Sequence, residues 1–185
     1  MVNKIIISVI KMGLRPAKCY RRPHRPYTRV STRRPRKSYV KGVPKSKVTG
    51  FEYGQKNSYS KVVYLESDAH IQIRSNSIEA ARIAVVRELE KKLGKEFFFK
   101  VRIYPHHVLR ENPMATGAGA DRFQQGMRQS FGKPIGQAAI VKIGQILMEI
   151  RVNDSGIKGA KNSFKAAIHK LPTPCKITIE DFAGV

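Results

Sequence analysis

The sequence predicts an α+β fold, a two-layer sandwich of a mixed, mainly antiparallel sheet with two helices. Three observations predict it. Apolar residues alternate in several short runs, they recur at helical spacing in two longer ones, and a Gly-X pair separates two of the alternating runs as in a hairpin. At 185 residues with 41% apolar content, the chain is long enough for a single core.

The elements follow in order. Residues 62–65 and 70–73 are short β-favouring runs. Asn76 reads as the N-cap of a helix, with Glu79 three residues on as in a capping box. Ile78, Ala81, Val85, Leu89 and Leu93 form its apolar stripe, and Gly94 supplies the stop. Next, Phe97, Phe99, Val101 and Ile103 alternate with Phe98, Lys100 and Arg102, a strand whose outer face is basic and open to RNA or water. Ala139, Val141 and Ile143 repeat the period, and after Gly144-Gln145 the run Ile146, Met148, Ile150 and Val152 answers it, which suggests a hairpin. A second helix is predicted over 158–170 with Ala160, Phe164, Ala167, Ile168 and Leu171 inward. Pro172 and Pro174 end it, and 176–180 forms a last strand with Ile177 and Ile179 inward.

Charge divides the chain. There are 36 Lys and Arg against 13 Asp and Glu, a formal charge of +23. Fifteen of the basic residues precede Glu52, the first acid. Residues 1–50 therefore read as a basic extended arm and 51–185 as a single α+β domain. Pro16, Pro23, Pro26, Pro35 and Pro44 exclude a long helix from the arm, and Tyr20, Tyr27 and Tyr39 are interleaved with its cations. Guanidinium groups fork onto phosphates and rings stack on unpaired bases, so nucleic acid is the expected partner. The RNA-binding candidates are Arg15, Lys18, Arg21, Arg22, Arg25, Arg29, Arg33, Arg34, Arg36 and Lys37. A membrane partner is not expected: the apolar run 5–10 is far shorter than the roughly 20 residues of a span, and no basic amphipathic helix is evident. With only Cys19 and Cys175, no disulfide framework is expected, which suits a reducing cytoplasm.

Between 104 and 136 the periodicity lapses, and a gap of this length reads as a long Gly-rich functional loop. Sharper chemistry fails there. A phosphate-binding loop needs four residues before its Gly-Lys and a hydroxyl after it, whereas Gly126 to Gly132 encloses five and Pro134 follows Lys133. Gly117-Ala118-Gly119 lacks the third glycine of a dinucleotide fingerprint. His106 and His107 are adjacent, so no metal-ligand spacing forms, and no nucleophile elbow frames Ser130 beside Asp121 and His107. No cofactor, metal or catalytic residue is expected.

Several motifs carry a family resemblance. Met12-Gly13-Leu14-Arg15-Pro16-Ala17-Lys18-Cys19-Tyr20, Ile73-Arg74-Ser75-Asn76-Ser77-Ile78-Glu79-Ala80-Ala81-Arg82, Tyr104-Pro105-His106-His107-Val108-Leu109-Arg110-Glu111-Asn112-Pro113-Met114, Gly119-Ala120-Asp121-Arg122, Gly126-Met127-Arg128 and Phe131-Gly132-Lys133-Pro134 stand in order. Together they resemble the ribosomal protein L-ten-e family, the archaeal and eukaryotic branch of the universal L-sixteen family. The likeness runs from about Met12 to the C-terminus and is nearer to archaeal members; residues 1–11 precede the usual family start, and 53–61 match loosely. The resemblance implies an α/β-hammerhead fold, a place on large-subunit rRNA near the central protuberance among neighbouring ribosomal proteins, and no homo-oligomer. It further implies that the loop supports tRNA placement near the peptidyl transferase centre without doing the chemistry. The loop candidates for rRNA or tRNA contact are His106, His107, Arg110, Asn112, Met114, Arg122, Met127, Arg128 and Lys133. Two rivals from other classes are an RNA-modifying or nucleotide-utilising enzyme with a basic docking arm, and a chromatin-type DNA binder; the latter lacks a recognition helix.

Overall fold

The elements of the chain come in the order β1 Glu52–Gly54, β2 Lys61–Ser67, β3 Ile71–Arg74, α1 Ser75–Leu93, β4 Phe98–Val101, β5 His107–Glu111, β6 Lys133–Val141, β7 Ile146–Val152, α2 Ile157–Ile168 and β8 Cys175–Asp181. The structure is a computed structural model, and it describes residues 14–23, 40–114 and 124–181. The strands make two sheets, one of five in the order β1-β4-β7-β2-β8 and one of three in the order β3-β6-β5. Every strand pair among the described residues is antiparallel, so the sheet is not mixed as expected.

Local pattern accounts for most of the core. Phe97, Phe99, Val101 and Ile103 are all buried, as their period-two spacing predicts, and they join one cluster with Val63, Leu65, Ile150 and Val152. The helices cover this sheet: Ile78, Ala81, Val85 and Leu89 of α1 and Ala160, Phe164 and Ala167 of α2 enter the same cluster. Ile177 and Ile179 of β8 are partly buried against it.

Three expectations are corrected. First, the 139–152 region is not a hairpin. β6 lies between β3 and β5 in the small sheet, and β7 lies between β4 and β2 in the large one, so neither has a free edge to offer the other. The turn itself exists: Gly144, at φ +73°, donates its N–H to the Ser67 carbonyl at 2.8 Å and carries the chain from one sheet to the other. Second, α1 begins at Ser75 with Arg74 in the cap position and without a side-chain cap. Glu79 does not close a capping box, because its carboxylate accepts from Arg82 Nε and Nη2 at 2.8 and 2.6 Å and from the Thr49 hydroxyl at 3.3 Å. The Arg82 guanidinium also lies 4.6 Å from the Tyr53 ring centroid and holds the Glu79 carboxyl below the usual range. Third, 104–136 is not one loop, since β5 and the first half of β6 lie inside it and pair with each other.

The basic outer face of β4 is taken up by the chain's own acids. Arg102 and Arg151 both bind the buried Glu149 carboxylate at 3.0 Å, and Arg151 also covers the Phe98 ring. Lys100 and Lys56 each reach Glu52 at 2.7 Å. Hydrogen bonds from Lys100 and then Lys56 hold the Glu52 carboxyl down from 4.5 to about 2. The sign follows from linkage. A depressed folded-state pKa adds stability above the unfolded value, and that stability is lost as pH falls from about 4.5 through about 2. Carboxyl NMR titration is expected to find the Glu52 midpoint near 2 and to find it raised in Lys100→Gln; a wild-type midpoint at 4.5 contradicts the geometry.

Candidate nucleic-acid interface

The site is built on the three-stranded sheet. β3 is an edge strand there, and its outward backbone groups need partners. They find them in the described part of the arm. The Gln72 N–H donates to the Arg21 carbonyl at 3.0 Å, and the Gln72 side-chain Nε2 donates to the Tyr20 carbonyl at 3.0 Å. Arg74 Nη1 donates to the Arg15 carbonyl at 2.8 Å, and the Arg74 guanidinium lies 5.6 Å from the Tyr20 ring centroid. Between these anchors Pro16 leads into a single 3-10 turn over Ala17–Tyr20. The segment is therefore held by its carbonyls, which leaves Arg15, Lys18, Arg21 and Arg22 exposed as candidates for phosphate contact. Farther along the arm, Val40 and Val48 are buried, and Val48 enters the core cluster. Arg25, Arg29, Arg33, Arg34, Arg36 and Lys37 lie outside the described residues.

The loop rises from the other edge of the same sheet. β5 and β6 pair from His107 opposite Ala138 to Glu111 opposite Lys133, with an irregularity where Leu109 faces Gly136 and Arg110 faces Pro134. His106 is exposed, its ring nitrogen 3.2 Å from the Tyr104 carbonyl. His107 is only 3% exposed, and its Nδ1 bonds the Gln72 side-chain oxygen. Through Gln72, which also donates to the Tyr20 carbonyl, the His107 imidazole ties the loop stem to the arm.

Arg110 clamps the loop's return. Its guanidinium lies 3.7 Å from the Phe131 ring centroid and donates to the Phe131 carbonyl at 2.5 Å. The next residue, Gly132, has φ +77°, and a Cβ there would meet the Glu111 carbonyl carbon at 2.9 Å, so a side chain is excluded. Gln124 Nε2 bridges the Pro113 carbonyl at 3.1 Å and Asn112 Oδ1 at 3.4 Å. Met114, Met127 and Phe131 are more than half exposed, beside the exposed cations Arg128 and Lys133. Arg122 lies outside the described residues.

Arm and loop meet at one carboxylate, since Arg15 pairs with Glu111 of β5 at 3.5 Å. The motif reading placed both segments in the interface but contained nothing to say that they share a sheet. Tyr20 is one of the aromatics interleaved with the arm's cations, whereas Phe131 and Arg74 join the site with no sequence signal beyond an aromatic next to Gly132 and a guanidinium before the helix.

The family model described as Ribosomal protein L16p/L10e matches residues 27–178. The chain belongs to this family. Among L16p/L10e relatives, a protein named large ribosomal subunit protein uL16 from Staphylothermus marinus is 44% identical over 175 residues, covering 91% of this chain and 95% of its own. Proteins of the same name from Metallosphaera sedula and Archaeoglobus fulgidus are 46% and 41% identical, each over 91% of this chain and over 95% and 94% of their own. An L16p/L10e chain is a structural protein and not an enzyme, which sets aside the RNA-modifying and nucleotide-utilising alternative.

Proposed function

We propose that the chain is a structural constituent of the large ribosomal subunit in the cytoplasm. There it binds large-subunit rRNA and neighbouring ribosomal proteins as a single copy and supports tRNA placement near the peptidyl transferase centre. The observation that carries the reading is the family match over 27–178 with relatives of near full-length coverage named for the large subunit. The distribution of charge supports it: Arg15, Lys18, Arg21 and Arg22 are exposed on the arm segment beside β3, and Arg128 and Lys133 are exposed between β5 and β6 and at the start of β6. The α/β-hammerhead description, the rRNA-binding basic arm and the tRNA-contacting Gly-rich loop belong to this proposal. No cofactor or metal enters it. The contacts assigned to the loop are those of His106, Met114, Met127, Arg128 and Lys133 with rRNA or tRNA, with Arg110 and Asn112 holding its base. A photoreactive residue at Met127 in intact ribosomes is expected to crosslink to bound tRNA. Crosslinks confined to rRNA contradict the tRNA assignment and leave the subunit assignment standing.

A further inference from the structure

Tyr20 Oη, Arg74 Nε, Asn76 Oδ1 and Gln137 Oε1 are buried with no hydrogen-bond partner among the described residues, and all four residues line one cavity. The cavity lies between the arm segment, the start of α1 and β6, and measures about 240 Å³. We propose that this cavity receives the base of one unpaired RNA nucleotide. The proposal rests on the rRNA-binding reading above and gives it a specific pocket.

The chemistry selects a base. Buried polar groups are costly to leave unmatched, so a fitting ligand must offer acceptors as well as donors. Nucleobase edges carry both, and carboxamides such as those of Asn76 and Gln137 are the side chains that read them in pairs. Tyr20 with the Arg74 guanidinium 5.6 Å from its ring centroid supplies flat surfaces of the kind on which splayed-out bases stack. The volume lies below the roughly 300 to 1,000 Å³ of pockets for drug-sized ligands, which suits one ring system with its sugar and phosphate outside. Arg15 and Lys47, both exposed, stand at the lining to meet that phosphate. The one carboxylate there, Glu111, is already paired with Arg15 at 3.5 Å, so the rim remains positive and suits a polyanion better than a peptide.

The test compares an RNA hairpin carrying a one-nucleotide bulge, with each of the four bases in turn, against the same hairpin with an abasic residue in the bulge. Backbone charge is then constant and only the base differs. Fluorescence anisotropy is expected to show at least one base preferred over the abasic hairpin by about tenfold, the size of one bidentate contact to a base edge. In the double variant Tyr20→Phe and Asn76→Ala the preference is expected to shrink to about twofold. Tyr20→Phe alone keeps the ring and removes only the hydroxyl, and it is expected to lower the preference partially if the double variant does not fold. Equal binding of base and abasic hairpins overturns the proposal, as does a preference that both variants retain. Failure to bind either hairpin sinks the rRNA reading as well, which separates the two failures.

Discussion

Affinity of the chain for large-subunit rRNA is expected to fall on the order of a thousandfold or more between about 50 and 200 mM salt, if about 6 to 10 phosphates are neutralised. The chain carries a charge of +23, and each cation that neutralises a phosphate releases counter-ions condensed on the RNA, which is the step that added salt opposes. The structure makes the expectation residue-specific. Lys18, Arg21 and Arg22 are exposed on a segment anchored by the Gln72 and Arg74 hydrogen bonds to its carbonyls, so replacing these cations by Gln removes charge without removing the anchors. Filter binding across a salt series is expected to show the log–log slope reduced by about 2 to 3 in that triple variant. A slope that is flat in the wild type, or unchanged in the variant, contradicts the electrostatic account.

Phe99→Ala is expected to destabilise the domain by about 3 to 5 kcal/mol. Phe99 is fully buried on β4, the second strand of the large sheet, opposite Tyr53 of β1 and Ile150 of β7, and its ring lies 6.4 Å from that of Tyr53. Truncation leaves a cavity that two hydrogen-bonded neighbours cannot close without breaking register. By contrast, Met127→Ala at an exposed loop position is expected to change stability within about 0.5 kcal/mol. Denaturant titration of both variants decides the matter; equal stability for the two would mean that the core is not where the structure places it.

The elements legible in the sequence are those whose packing repeats the local period. β4 alternates because one face meets the helices, and α2 is readable because Ala160, Phe164 and Ala167 all enter the core. What was illegible depends on distant partners. The turn at Gly144 looks like a hairpin turn from either side, and only the neighbours of β6 and β7 show that it links two sheets. β5 hides because His107, Val108 and Leu109 are buried in succession, so no alternation marks it. The capping box at Asn76 and Glu79 was a sound local signal that lost to Arg82, a better partner for the carboxylate three residues on. For the site, composition marked the arm and the loop, whereas their meeting through Arg15 and Glu111 and the cavity of Tyr20, Arg74, Asn76 and Gln137 bring together residues from separate segments that no motif connects.

Membership of the large subunit is the central claim, and sedimentation of a tagged copy from lysate through a sucrose gradient, with and without ribonuclease, tests it most directly. The account predicts that the chain travels with the large subunit and is released when the RNA is digested. Migration as a free small protein, with the tag shown to be harmless, would contradict it.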